Sequence, residues 1–140
     1  MMKIVVEILF ALILSLGLSC DADEAMLLKE YEEAQELYLV TAYCSCEICC
    51  GKWALNRPNG IVYTSNGSIA EEGVTIAADW NVLSPGTIVY IDGLGLRTVQ
   101  DEGSAIIGKH IDVYMDEHQK AAEFGAQYLN LIILHEEVKE

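Results

Sequence analysis

A mainly β domain, closed into a barrel rather than opened into a sandwich, is what the sequence predicts for the larger part of this 140-residue chain. Three observations carry the expectation. Short runs rich in β-branched and aromatic residues recur at 39–43, 61–64, 74–78, 87–91, 97–100, 111–115 and 128–134. Turn signals separate them, among them Ser65-Asn66-Gly67, Pro85-Gly86 and Asp92-Gly93. Only one stretch between the runs reads as a helix, and a closed sheet removes the exposed edges that many short strands would otherwise present. The chain is apolar enough to bury one core (hydrophobic 52%) and too short for two, so disorder and a second domain are both excluded.

The elements follow in order. Residues 1–19 read as a signal peptide or membrane anchor: Lys3 supplies a short basic start, residues 4–18 are apolar apart from Glu7, and Gly17 and Ser19 are small. The apolar run falls short of the roughly 20 residues a spanning helix needs, which favours export over a retained anchor. Leu18-Ser19-Cys20 is similar to a lipoprotein cleavage site, making Cys20 a lipidation candidate that would tether the N-terminus to a membrane. Residues 20–38 read as an acidic helical spacer. Asp23 is its expected cap, and Leu27, Leu28, Tyr31, Ala34, Leu37 and Tyr38 recur at helical spacing. The β domain is expected over 39–140, with one internal helix capped by Asp116, boxed by Gln119 and stopped by Gly125.

Four cysteines, Cys44, Cys46, Cys49 and Cys50, lie together after the first strand. In an exported protein two disulfides are the default, stapling the long loop that follows. A structural zinc held by the four thiolates is the competitor, since Cys46 and Cys49 have knuckle spacing. A redox-active dithiol is the third reading, although no strand-to-helix setting surrounds the pair.

With 8 basic against 22 acidic residues the net charge is −14, so a phosphate backbone would be repelled and nucleic acid is excluded as a partner. Glycine-rich phosphate loops, nucleophile elbows and zinc-protease motifs are absent, and His110, His118 and His135 are not at ligand spacing with one another. Carboxylates remain. Asp79, Asp101 and Asp112 each follow apolar or β-branched residues at or inside expected strands. Neighbouring buried carboxylates can share one proton and perform acid–base chemistry, whereas most strand-end aspartates only cap turns or accept from backbone amides.

Taken as a set, these segments resemble a known family. Val74-Thr-Ile-Ala-Ala-Asp79, Pro85-Gly86-Thr87, the stretch from Asp101 through Gly-Ser-Ala-Ile to Ile111-Asp112-Val-Tyr114, and Ala121-Ala-Glu-Phe-Gly125 are similar to the three-aspartate (3D) domain. That domain is found in membrane-bound lytic transglycosylase A and in Gram-positive stationary-phase survival muralytic proteins. Val40-Thr-Ala-Tyr43 with the following cysteines looks like the opening strand of a cysteine-bearing branch.

The resemblance implies a six-stranded double-psi β-barrel and lytic cleavage of peptidoglycan glycan strands, with no cofactor required. Asp101 would protonate the glycosidic oxygen between N-acetylmuramic acid and N-acetylglucosamine. It would then act as a base on the muramyl 6-hydroxyl, giving a 1,6-anhydro product. Asp112 would raise the pKa of Asp101, and Asp79 would hold the sugar or the strand crossing. Thr87 and Ser104 are the best-placed sugar-hydroxyl partners, followed by Thr41, Thr64 and Ser65. Trp80, Trp53 or Tyr114 could stack on a sugar face, although aromatics in small barrels more often fill the core. The chain departs from the family's usual Asp-Thr-Gly and Ile-Lys-Gly, having Asp101-Glu102-Gly103 and Ile106-Ile107-Gly108, with Pro85 displaced by one position. Lys109 is the expected substitute for the missing lysine. Two other readings stay open: an inactive wall-binding module on the same barrel, and a metal or redox module built on the thiols.

Overall fold

A computed structural model describes residues 22–134, in two units treated separately. The first contains helix α1 (Ala22–Glu33), whose Met26 and Leu27 are exposed and whose Lys29 pairs with Glu33 one turn on at 3.8 Å. The second holds six strands: β1 (Gln35–Tyr43), β2 (Thr75–Ala78), β3 (Ile88–Ile91), β4 (Gly95–Asp101), β5 (His110–Tyr114) and β6 (Gln127–Leu134). Two short helices, α2 (Glu47–Cys50) and α3 (His118–Phe124), accompany them. Residues 1–21, including the signal segment and Cys20, lie outside the described residues, as does the side chain of Asp23. Among the described residues no helix is long and apolar enough to cross a membrane.

The strands form one sheet that closes in a ring, in the order β1-β5-β2-β4-β3-β6 and back to β1. Two neighbours run parallel, β1 with β5 and β2 with β4, and the other four pairs are antiparallel. The inward face follows from alternation. Tyr38 and Val40 on β1, Val89 and Ile91 on β3, and Ile111 and Val113 on β5 all enter the core, joined by Ile76, Val99 and Leu131. β2 is buried along its whole length, which fits a strand flanked on both sides within the ring.

Three expectations need correction. The helix does not run to residue 38. It ends at Glu33, and Gln35 opens a nine-residue strand whose ladder with β6 begins at Gln35↔Ile132. Leu37 and Tyr38, which also fit a helical stripe, are on opposite faces of that strand, with Tyr38 buried and Leu37 exposed; the ladder and the alternate burial outweigh local helical spacing. The expected strand 61–64 is reduced to an isolated bridge, Tyr63↔Ile69. Asp116 is not the cap of α3. Glu117 takes that position without a side-chain cap, while the Asp116 amide donates to Glu72 Oε2 at 2.9 Å and Gln119 reaches forward to Glu123. Gly125 does stop the helix, at φ 65°, a conformation suited to glycine.

Candidate active site

The candidate site starts from strand register. Thr41 on β1 lies opposite Asp112 on β5, Asp112 lies opposite Ala77 on β2, and Ala77 lies opposite Asp101 on β4. Residues opposite one another across a ladder share a face, so this row sets Asp101 and Asp112 on either side of a single small side chain. The row depends on an irregularity. Ile76 pairs with Val99 but Ala77 pairs with Asp101, so Gln100 is an extra residue on β4. Without that bulge Gln100 would stand opposite Ala77 and Asp101 would take the other face; re-aiming a side chain in this way is a recurrent use of bulges near active sites.

Asp101 is held by four donors. The Tyr43 hydroxyl donates to Oδ2 at 2.8 Å, and Oδ1 accepts from the Ser65 amide at 2.9 Å, the Ser65 hydroxyl, and the Glu102 amide at 3.0 Å. Ser65 is delivered by a tight loop. Thr64 and the Ser68 amide bond to Asn66 Oδ1, Gly67 turns at φ 88°, and the Asn66 amide fastens the loop to the Gln100 carbonyl. Burial and then the charges of Asp101 and Asp112 push the Tyr43 phenol well above its ordinary value, so it remains a neutral donor. Its ring packs edge-on to Tyr114, with centroids 5.4 Å apart.

Asp112 is the member of the pair that burial lifts. Its carboxyl rises above the usual aspartate range chiefly through desolvation, opposed by a 2.8 Å hydrogen bond from Thr41 Oγ1 and by His110, and assisted by the Asp101 charge. Thr41 Oγ1 also lies 3.0 Å from His110 Nε2. Asp79 behaves oppositely. Its Oδ2 accepts from the Gly108 amide and its Oδ1 from the Asn81 amide and side chain, which hold its carboxyl below the usual range. Asp79 therefore ties the turn after β2 to the turn before β5, and it is not among the charges that act on Asp112.

An open depression of about 310 Å³ is lined by Ala78, Asp79, Trp80, Asn81, Glu102, Gly103, Ser104, Ile106 and Ile107; it reaches Glu102, next to Asp101 in the chain, but neither Asp101 nor Asp112 is part of the lining. Ser104 and Glu102 are exposed there. Trp80 is half-buried against the core, and its Nε1 donates to the Asp101 carbonyl at 3.0 Å, so the residue braces the chain at Asp101 while lining the depression. Thr87 lies outside this lining, 3.3 Å from the Ser84 hydroxyl. Lys109 also lies outside it, paired with Glu36 at 3.1 Å and with its ammonium 5.9 Å from the Tyr38 ring centre. Trp53 is exposed under Lys52, and Tyr114 is buried.

The thiols form a second cluster. Cys44, Cys46 and Cys49 place their Sγ atoms 3.8, 3.4 and 3.5 Å from Nδ1 of His118, and Cys44 and Cys49 are 3.7 Å apart. All four cysteines are free, so the two expected disulfides are not formed. The expected four-thiolate set is also different: Cys50 turns away to donate to the Cys44 carbonyl at 3.1 Å, and His118 completes the group of four atoms within 4.8 Å of one another, which could hold a metal ion. Interaction with the Cys44 thiol and then the backbone amides of Cys49 and Ile48 lower the Cys46 thiol to about 6, whereas burial raises Cys50 to about 11.

Sequence reasoning missed Tyr43 and Ser65 as partners of Asp101, and His118 as a partner of the thiols. Ser65 and Tyr43 carry no local signal of such a role. His118 is 72 positions from Cys46, and only the fold brings them together.

Fold and site define a small closed β domain with Asp101 and Asp112 on one row across its strands. Residues 74–135 match the family model of the 3D domain, and over that stretch the chain is similar to that family. It is 35% identical over 101 residues to the Bacillus subtilis (strain 168) protein named "Putative cell wall shaping protein YabE", covering 68% of this chain and 22% of that one. It is 37% identical over 60 residues to the "Cell wall-binding protein YocH" of the same organism, covering 43% of this chain and 21% of the relative. The chain thus spans about a fifth of the length of these curated relatives. Similar solved structures include MltA from Escherichia coli (TM-score 0.49, 23% identity, 54% of this chain and 28% of that chain). Another is the lytic transglycosylase LtgG of Burkholderia pseudomallei (TM-score 0.41, 20% identity, 53% and 27%).

Proposed function

We propose that the chain is an exported cell-wall lytic transglycosylase that cleaves the bond between N-acetylmuramic acid and N-acetylglucosamine to give 1,6-anhydro-muropeptides. The observation that carries this reading is the register row that sets Asp101 and Asp112 on either side of Ala77, with the residue after Asp101, Glu102, lining an open depression. Asp101 gives its proton to the glycosidic oxygen, and the same carboxylate then accepts the proton of the muramyl 6-hydroxyl as that oxygen closes onto C1. The proton returns to the residue that gave it, so no water is consumed and no second carboxylate is needed as a nucleophile. Tyr43, Ser65 and the Glu102 amide hold both oxygens of Asp101 in place, and Asp112 carries a proton beside it to a higher pH than an isolated aspartate would. Ser104 is the substrate-facing hydroxyl, Trp80 a brace for Asp101, and Asp79 the fastener of the depression's rim. The chemistry uses no cofactor.

The organisation proposed with it is a signal or anchor over 1–19, a spacer from 20 to 34 with Cys20 as the membrane tether, and a double-psi barrel that begins with β1 at Gln35. The two parallel strand pairs within an otherwise antiparallel ring support the barrel type. The names of YabE and YocH support a cell-wall location and a cell-wall partner. A second reading, a wall-binding module without activity, is favoured by the placement of Lys109 away from the depression, which leaves that wall without a cation.

Mass spectrometry of sacculi digested with the full chain separates the two. Wild type is expected to release anhydro-muropeptides, each lighter by one water than the hydrolysed product. Asp101→Asn is expected to lower that release by about 10²- to 10⁴-fold while still pelleting with the wall. Wall binding with no product from wild type would establish the binding module instead.

A further inference from the structure

The thiol cluster has the dimensions of a tetrahedron. Zn–S bonds of about 2.3 Å and Zn–N bonds of about 2.05 Å set at tetrahedral angles put sulfurs roughly 3.8 Å apart and sulfur roughly 3.6 Å from nitrogen. The distances found are 3.7 Å between Cys44 and Cys49, and 3.8, 3.4 and 3.5 Å from the three sulfurs to His118 Nδ1. A disulfide needs sulfurs about 2.05 Å apart and would leave the imidazole without a purpose in the cluster. We propose that Cys44, Cys46, Cys49 and His118 bind one Zn²⁺ ion through three Sγ atoms and Nδ1, with Cys50 outside the set.

The donor chemistry selects the ion: soft thiolates with one imidazole in tetrahedral array suit zinc, whereas oxygen-seeking cations would find no ligand. Each thiol exchanges its S–H proton for a Zn–S bond, the protons leave to solvent, and no electron moves. All four positions come from the protein, so no vertex remains for water and the ion is structural. It would join the end of β1 to the first residue of α3, two elements far apart in sequence. The proposal does not depend on the transglycosylase reading, because metal content is measured without substrate.

The test uses the full chain purified under reductant with no metal added. About one zinc per chain is expected by elemental mass spectrometry, with X-ray absorption at the zinc edge reading three sulfurs and one nitrogen. Cobalt exchange should give the intense visible bands of a tetrahedral thiolate site. Cys46→Ser and His118→Ala should each weaken zinc binding by more than the roughly 10-fold that loss of a ligand's hydrogen-bond partner costs. Cys50→Ser should leave it unchanged. A metal-free protein whose mass has fallen by the hydrogens of two disulfides would overturn the proposal. So would a four-sulfur absorption spectrum with zinc retained in His118→Ala and lost in Cys50→Ser, which would assign the four-thiolate set.

Discussion

At the scale of single residues, the three aspartates have separate physical signatures. Asp112 has its carboxyl raised mainly by burial, so the unfolded chain loses that proton first. Stability is therefore expected to fall as pH rises from the ordinary aspartate range through the raised folded value, and to stay lower above it. Asp112→Asn removes this loss. Asp79 has its carboxyl lowered by the Gly108 amide and then by Asn81, so its stabilisation is present above the ordinary range and disappears as pH falls through the folded value. Urea midpoints between about pH 3 and pH 7 should show Asp112→Asn gaining on wild type with rising pH and Asp79→Asn losing on it. Tyr43→Phe deletes the donor to Asp101 Oδ2 and should cost about 0.5–1.5 kcal/mol in the same denaturation measurement. The three aspartates were legible as candidates because each stands at or inside a run of apolar or β-branched residues. Their partners were not, since a tyrosine or serine that donates to a distant carboxylate looks like any other.

At the scale of elements, the strands read best where alternation is strong and one face is buried, as at Val89 and Ile91 or Ile111 and Val113. They read worst at the start of β1. Gln35 to Tyr38 follows an acidic helical segment, and only pairing with β6, nearly a hundred residues away, makes it strand. The run 61–64 has strand-like residues but meets only a local partner at Ile69, and the Thr64–Gly67 turn serves to present Ser65. The bulge at Gln100 left no trace in the residue pattern, because one inserted position in a β-branched run breaks no composition rule. Yet it decides which face Asp101 takes. Ala77 stands opposite both Asp101 and Asp112 in the register row and is 4% exposed. Ala77→Leu should cost about 1–3 kcal/mol by overpacking, and on the proposed mechanism it should also suppress anhydro product more than the stability loss explains. Denaturation and sacculus digestion on one preparation would check both.

At the scale of the whole molecule, the second unit stands on one core enclosed by the ring. Leu131 is fully buried on β6, the strand that bonds to β1 on one side and β3 on the other. Leu131→Ala should cost about 2–5 kcal/mol, and calorimetry should show a lower transition that remains a single cooperative step, because no strand of a closed ring can leave alone. The thiol cluster lies at the surface, where its ligands come from the loop after β1 and from α3, so its connection was beyond any reading of spacing along the chain.

The order β1-β5-β2-β4-β3-β6 carries one more consequence. Only β3 and β4 are neighbours both in sequence and in space; every other pairing must wait for chain made much later. β6 acts as the keystone, and it is synthesised after all the strands it locks. A nascent polypeptide built this way cannot close its sheet until the final strand has been made, so completion of the ring is the last event that synthesis permits.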